Sequence, residues 1–192
     1  MGDLDVTEPD EVSGAPYPEH YRTNAVLKGG LSISVRPIKP EDAPLLVEFF
    51  NGLSAASVIF RFLTHLKTLP PEWVEHFTRI DYSQDVALVA VKEIESRERI
   101  LGVCRIMRQP GSASGEIAVV IADDWQGKGI GELLCRRCIG IAQELGMTSI
   151  WGIVSPENKK FVALARKLGF GVELDPGAGL YRIEMKLISG SL

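Results

Sequence analysis

The chain has 192 residues, 45% of them apolar and 24% charged, which is enough for one globular domain with a sizeable core and short for two. Its 21 basic and 25 acidic side chains give a net charge of −4. This balance excludes a global basic field that would gather nucleic acid, so an anionic ligand would have to be bound locally. Three cysteines, an acidic N-terminus and no apolar run of about 20 residues lead us to expect a cytoplasmic protein without a membrane partner.

The N-terminal region differs in composition from the rest of the chain. Residues 1–20 contain six acidic residues, three prolines and no lysine or arginine, a composition that buries little apolar surface. We therefore expect residues 1–30 to form an acidic N-terminal extension and residues 31–192 to form the domain.

The first half of that domain is predicted to consist of one strand followed by three helices. Residues 31–36 alternate between apolar and polar side chains, as in a half-buried strand. Proline with acidic residues opens a helix at Pro40, Ser54 is a typical N-cap, and Pro70 precedes another helical run. The predicted helices cover residues 40–53, 54–62 and 70–80.

From Asp85 onward the hydrophobic period changes to that of strands. Charged residues 95–99 predict a turn between the first two of these strands, and Gly146 and Gly169 are placed to end two later helices. This order predicts a mixed α/β (α+β) sheet with early antiparallel hairpins and a late crossover. The predicted strands are 86–91, 100–107, 116–121, 149–154, 170–174 and 181–187, with helices at 130–145 and 158–168.

Three glycines occupy alternate positions in the stretch DWQGKGIGELL, residues 124–134, directly before the longest predicted helix. The first N–H groups of a helix lack partners and, with the helix dipole, attract phosphate, while glycine lets a ligand approach the backbone closely. The alternative is a tight turn with no ligand. Neither the Walker spacing nor the dinucleotide spacing is present. The loop is therefore a candidate seat for a pyrophosphate.

The charge distribution agrees with an anionic ligand near this loop. Residues 126–170 contain seven basic and three acidic side chains, a net charge of +4, whereas residues 1–50 contain four basic and nine acidic ones, a net charge of −5. Surface lysines often only solvate a protein. The positive half is nevertheless where we expect the anion.

The sequence contains the motif Gln126-x-x-Gly129-x-Gly131 after an apolar strand, followed downstream by Asn158 and a helix that ends in Leu-Gly-Phe. With these features it resembles the GNAT superfamily of acyl-CoA-dependent N-acyltransferases over roughly residues 31–187. Residues 53–62, 115–131 and 157–170 are similar to the catalytic domain of bacterial Pat-type protein lysine acetyltransferases. The resemblance implies the GNAT fold, with acetyl-CoA as co-substrate and a protein lysine as acceptor. No metal is expected.

The resemblance also implies roles for particular residues. The strand Val119, Val120 and Ile121 would pair with the pantetheine arm, and Asn158 would hold that arm, although an asparagine there could equally satisfy a helix end. Many superfamily members have a tyrosine seven residues after this asparagine as the general acid, but here that position is Ala165, so we assign no general acid. The pyrophosphate would rest on the backbone of Gln126, Gly127, Lys128, Gly129, Ile130 and Gly131.

Glu116 is the general base that the resemblance implies, since Pat-type domains place their catalytic glutamate at this position. A lysine amine with a pKa near ~10.4 must lose a proton to a carboxylate near ~4.3, a gap of about six units or roughly 8 kcal/mol. Burial would narrow that gap. The amine would then attack the thioester directly, with a backbone N–H near Val120 or Ile121 stabilising the oxyanion.

Three other functions stay open at this stage: acetylation of a small amine, an acyl-CoA-binding regulator without activity, and binding of an unrelated nucleotide phosphate. The helices between residues 54 and 80 are expected to line the acceptor side. Cys135-x-x-Cys138 lies within an apolar helical run and is predicted to be structural, and residues 111–115 are predicted to be a hairpin turn. Three tryptophans, Trp73, Trp125 and Trp151, are predicted to pack in the core or against helices, and lining the acceptor mouth is an alternative for Trp125.

Overall fold

The computed structural model describes residues 16–187, which contain one eight-stranded sheet. The strand order is β1-β2-β3-β4-β5-β6-β8-β7, and every neighbouring pair is antiparallel except β5 and β6. The strands are β1 Thr23–Val26, β2 Ser32–Pro37, β3 Val86–Ile94, β4 Arg97–Arg108, β5 Ser114–Ile121, β6 Ser149–Val154, β7 Gly171–Asp175 and β8 Leu180–Lys186.

Five α-helices cover the two faces of this sheet. On one face α4 and α5 pack against Leu88, Cys104 and Ile106, and on the other face α1, α2 and α3 pack against Val89 and Val103. Burial of these two apolar faces is the main source of stability. The helices are α1 Ala43–Asn51, α2 Ala55–Phe62, α3 Pro71–Thr78, α4 Ile130–Glu144 and α5 Lys159–Leu168.

The predicted mixed sheet with early antiparallel strands is confirmed, and the sheet also extends further toward the N-terminus than expected. Strand β1 pairs with β2 over residues 23–26 and 32–35, although residues 1–30 were predicted to lie outside the domain. Arg137 on α4 donates to the Tyr21 carbonyl at 2.9 Å, which fixes the approach to β1. Residues 1–15 of the predicted extension and residues 188–192 lie outside the described range.

One buried ion pair joins the start of the helical segment to the sheet. Arg36 on β2 donates two hydrogen bonds to Asp42, at 2.6 and 2.8 Å, and both side chains are 2% exposed. Burial lowers the pKa of Arg36, but hydrogen bonds to Asp42 and Glu98 outweigh it and raise the pKa above its usual value. A buried charge of this kind is stable only while its partner remains. Within residues 16–187, no helix is long and apolar enough to cross a membrane.

Candidate active site

The sheet opens at its single parallel pair of strands. Strands β5 and β6 are in register only over residues 114–116 and 149–151, and they diverge beyond that point. Ala122 donates from its N–H to Leu101 on β4, and amide directions alternate along a strand. The N–H of Val120 is therefore directed at β4, whereas those of Val119 and Ile121 point toward the opening. This edge can accept an added strand-like ligand.

The glycine loop closes the wide end of this opening. Gly127 and Gly129 have φ angles of 75° and 90°, in the left-handed region that favours glycine, and Gly129 is the N-cap of α4. Within residues 16–187, no group accepts a hydrogen bond from the backbone N–H groups of residues 127–131. These free donors at the start of a 15-residue helix form a seat suited to phosphate.

A cavity of about 790 Å³ runs between the loop, the open edge of β5 and the first turn of α5. Three consecutive residues of β5 line it, which places the cavity along the edge of the strand, because side chains alternate between its faces. Of the residues predicted to bind the cofactor, the structure brings together here Val119, Val120, Ile121, Gln126, Gly127, Gly129, Gly131 and Asn158.

The other predicted site residues lie beside the cavity lining. The Lys128 ammonium lies 4.5 Å from the centroid of the Trp125 ring, and the Ile130 side chain is 1% exposed in the core, so Ile130 can contribute only its backbone. Glu116 is exposed on β5 and shares a strand face with Val120. Its carboxylate lies outside the lining, toward the point where β5 and β6 still pair.

Asn158 caps helix α5 and also lies in the cavity lining. Its side-chain oxygen accepts a hydrogen bond from the Phe161 N–H at 3.2 Å as the N-cap of α5, and the residue also lines the cavity. Its side-chain NH₂ donates to no group within residues 16–187. Ala165, at the position of the missing tyrosine, is 1% exposed.

Asp123 links the glycine loop to helix α2, a contact that the sequence did not indicate. Its carboxylate accepts hydrogen bonds from the Ser54 N–H at 2.9 Å, the Ser54 hydroxyl at 2.7 Å and the Ser57 hydroxyl at 2.9 Å. Gln126 donates to Ser57 and to the Ile121 carbonyl, each at 3.2 Å. Burial raises the pKa of Asp123, but the bonds from Ser54 and Ser57 outweigh it and lower the pKa below its usual value.

We expect Asp123→Asn to destabilise the fold by about 0.5–1 kcal/mol, because it weakens charge-assisted hydrogen bonds that are partly exposed to water. The lowered pKa means that this stabilisation is present above the unfolded pKa of about 3.9 and is lost as pH falls through the folded value. Urea unfolding at pH 7 and at acid pH measures both effects. Asp124→Asn, at the exposed neighbouring position, is the matched control; equal losses in the two variants would contradict the assignment.

Aromatic and basic side chains lie near Glu116 on its own face of the sheet. Trp151 is the register partner of Glu116 on β6, is half-buried rather than in the core, and has the Arg182 guanidinium 4.7 Å from its ring centroid. Arg61 on α2 lines the cavity. Desolvation lowers the pKa of Arg61 to about 10, and the nearby Glu116 carboxylate acts in the opposite direction. The site therefore includes two residues, Arg61 and Trp151, that no sequence signal identified.

The basic residues of the positive half have different tasks. Lys159 and Lys160 line the cavity, and Lys160 donates to the Gln126 side chain at 3.2 Å. Arg136 and Lys167 instead bind Glu132. Lys159 and Lys160 are therefore the lysines of the predicted positive half that are placed to contact a ligand in the cavity.

The cysteine pair and the glycine-serine segment, which were predicted to be structural and not catalytic, have structural roles in the fold. Cys135 and Cys138 are buried free thiols in α4, as predicted, and Cys138 donates to the Cys104 carbonyl at 3.5 Å. Residues 109–113 connect β4 to β5 as a hairpin turn, two residues closer to the N-terminus than the predicted 111–115, because Ser114 and Gly115 belong to β5. Within residues 16–187, no group of three His, Cys, Asp or Glu side chains could hold a metal ion.

Comparison with known proteins agrees with this geometry. The family model described as acetyltransferase (GNAT) domain matches residues 33–171. The protein named acetyltransferase PA5475 of Pseudomonas aeruginosa is 33% identical over 150 residues, which cover 78% of this chain and 81% of that protein. The GNAT domain of S. lividans PAT superposes with a TM-score of 0.81 at 28% identity, covering 89% of this chain and 99% of that one.

A second solved structure shares the fold at lower identity. A phosphinothricin acetyltransferase of the GNAT superfamily from Sinorhizobium meliloti, determined in complex with AcCoA, has a TM-score of 0.65 and 20% identity. The alignment covers 83% of this chain and 90% of that one.

The fold and its open strand edge define an acyl-CoA-dependent N-acyltransferase. The free amides of the glycine loop, the splayed strands and a cavity of about 790 Å³ fit a diphosphate followed by an extended arm. The chain belongs to the GNAT acetyltransferase family.

Proposed function

We propose that the enzyme transfers an acetyl group from acetyl-CoA to lysine side chains of proteins, with Glu116 as general base. The observation that carries this proposal is the position of Glu116: an exposed carboxylate on the strand that runs into the glycine loop, at the narrow end of the opening between β5 and β6. The resemblance of residues 53–62, 115–131 and 157–170 to Pat-type protein lysine acetyltransferases supports a protein acceptor.

The binding roles proposed for the cavity residues follow from where their donors point. The N–H groups of residues 127–131 would receive the pyrophosphate, and Lys159 and Lys160 would balance its charge. The open edge at Val119 and Ile121 would pair with the extended arm, and the Asn158 NH₂ would donate to it. When bound, acetyl-CoA supplies the thioester carbonyl that the amine attacks.

Proton transfer is the step that the protein itself must perform. Glu116 would take a proton from the lysine ammonium, directly or through one water, and the neutral amine would then attack. The amide directions described above favour the N–H of Val119 or Ile121, and not that of Val120, as the donor to the oxyanion. Because Ala165 provides no hydroxyl, water would protonate the leaving thiolate.

A transfer assay separates the protein acceptor from a small one. Labelled acetyl-CoA would be incubated with the enzyme and an acyl-CoA synthetase, and separately with a panel of small amines. We expect label on a lysine of the synthetase and none after that lysine is changed to arginine. Label confined to the small amines would reject the protein acceptor.

We further propose a cytoplasmic location, in line with three buried free thiols, which cell fractionation would test.

A further inference from the structure

Two guanidinium groups lie against the same aromatic ring, Phe77, near the acceptor end of the cavity, the end closest to Glu116. Arg61 on α2 has its Cζ 4.8 Å from the ring centroid of Phe62 and 5.9 Å from that of Phe77. Arg105 on β4 has its Cζ 4.2 Å from the same Phe77 ring. Within residues 16–187, neither arginine forms an ion pair.

Arg105 is a buried cation with unsatisfied donors. It is 4% exposed, and its one hydrogen bond in the described chain runs from Nη2 to the Phe77 carbonyl at 3.2 Å. Its Nε and Nη1 atoms have no partner there. Desolvation, with a further contribution from Arg61, lowers the pKa of Arg105 to about 9. A charge buried in this way normally has a counterion, because its solvation by water has been lost.

The Glu116 side chain lies on the same face of the sheet as Arg105. Glu116 acts on Arg61, and it lies two residues from Ala118, the register partner of Arg105. Two further carboxylates near the site already accept hydrogen bonds. Glu184 accepts one from Arg182 at 3.3 Å, and Asp123, which lines the cavity with Arg61, accepts bonds from the Ser54 and Ser57 hydroxyls. Within residues 16–187, Arg61 and Arg105 therefore both lack a carboxylate at ion-pair distance before a substrate arrives.

We propose that the acceptor substrate itself supplies a carboxylate, which binds Arg61 while its amine lies at Glu116. This inference rests on the proposed function: in a protein acceptor the group is an aspartate or glutamate side chain beside the acetylated lysine. A free amino acid would supply its own carboxylate in the same place. Arg61 is then a specificity-determining residue. Arg105 does not line the cavity, but from its buried position on β4 it strengthens the positive potential at Arg61.

The test compares two peptides that differ only in the residue after the acceptor lysine, aspartate or asparagine. We expect the wild-type kcat/KM to be about tenfold higher for the aspartate peptide, the size of effect expected of one partly desolvated ion pair. Arg61→Gln should bring the ratio close to unity by slowing the aspartate peptide, and Arg61→Lys should restore part of the preference. Arg79→Gln is the matched control, since Arg79 is the exposed C-cap of α3 and pairs with Glu75 at 3.0 Å.

A second arm identifies the source of the carboxylate by comparing a free amino acid with its amide. Equal rates for the two peptides, or a preference that survives Arg61→Gln, would overturn the inference and leave lysine acetylation standing. Transfer to the free amino acid over its amide, dependent on Arg61 and with no peptide acetylated, would retain the carboxylate site and reject the protein acceptor. Absence of transfer in both arms would reject the proposed function and this inference with it.

Discussion

Glu116→Gln is expected to lower kcat/KM about 10²–10⁴-fold, the usual contribution of a positioned general base. The substitution keeps the shape of the side chain and removes its ability to accept a proton. Glu116 lies outside the cavity lining, so the Kd for acetyl-CoA should not change. Steady-state kinetics with a lysine peptide and calorimetry with acetyl-CoA measure the two quantities separately.

The same variant should also respond differently to pH. A lysine amine has a pKa near ~10.4, so without a base in the site the reactive fraction of free amine rises about tenfold per pH unit below that value. We expect the kcat/KM of the Glu116→Gln variant to rise about tenfold per pH unit in the same way. The kcat/KM of the parent enzyme should depend much less on pH near neutrality, because its base removes the proton within the site. Glu173→Gln, on the exposed edge strand β7, is the control for the change of charge. A Glu116→Gln enzyme that retained its rate would place the base elsewhere.

Local elements could be predicted closely because their signals are contained in a few adjacent residues. Ser54 does cap α2, accepting a hydrogen bond from the Ser57 N–H at 3.2 Å, and Gly169 ends α5 with a φ of 96°. Strand β1 was missed because four residues beside an acidic segment give a weak pattern, and its pairing with β2 depends on contacts across the chain.

In the candidate site too, the features that depend on adjacent residues could be predicted, and those that depend on distant residues could not. The glycine loop was predictable since its free amides and its positive φ angles arise within six consecutive residues. The Asp123 carboxylate meets the Ser54 hydroxyl across 69 positions of sequence, and Trp151 meets Glu116 only through the register of two parallel strands. The charge count predicted a positive half but could not show that Glu132 binds two of its cations. Such pairings follow from the fold and not from the local pattern.

Gly127→Ala should weaken acetyl-CoA binding about 5- to 30-fold, corresponding to the roughly 1–2 kcal/mol that an L-residue pays in the left-handed region. Gly127 has a φ of 75° and lines the cavity. If the loop relaxes to avoid this cost, its N–H groups no longer point at the pyrophosphate. If it does not relax, the new methyl group occupies open space, since nothing lies within 4 Å of it, where phosphate oxygens would approach.

Gly146→Ala provides a control for backbone strain alone. Gly146 follows α4, away from the cavity, and it has the same φ of 75° with nothing within 4 Å of an added Cβ. Both variants should therefore lose similar thermal stability, because the cost of the left-handed conformation is the same. Calorimetry should then show a higher Kd for acetyl-CoA in Gly127→Ala and an unchanged one in Gly146→Ala. Similar Kd values in the two variants would mean that the amides of residues 127–131 do not hold the pyrophosphate.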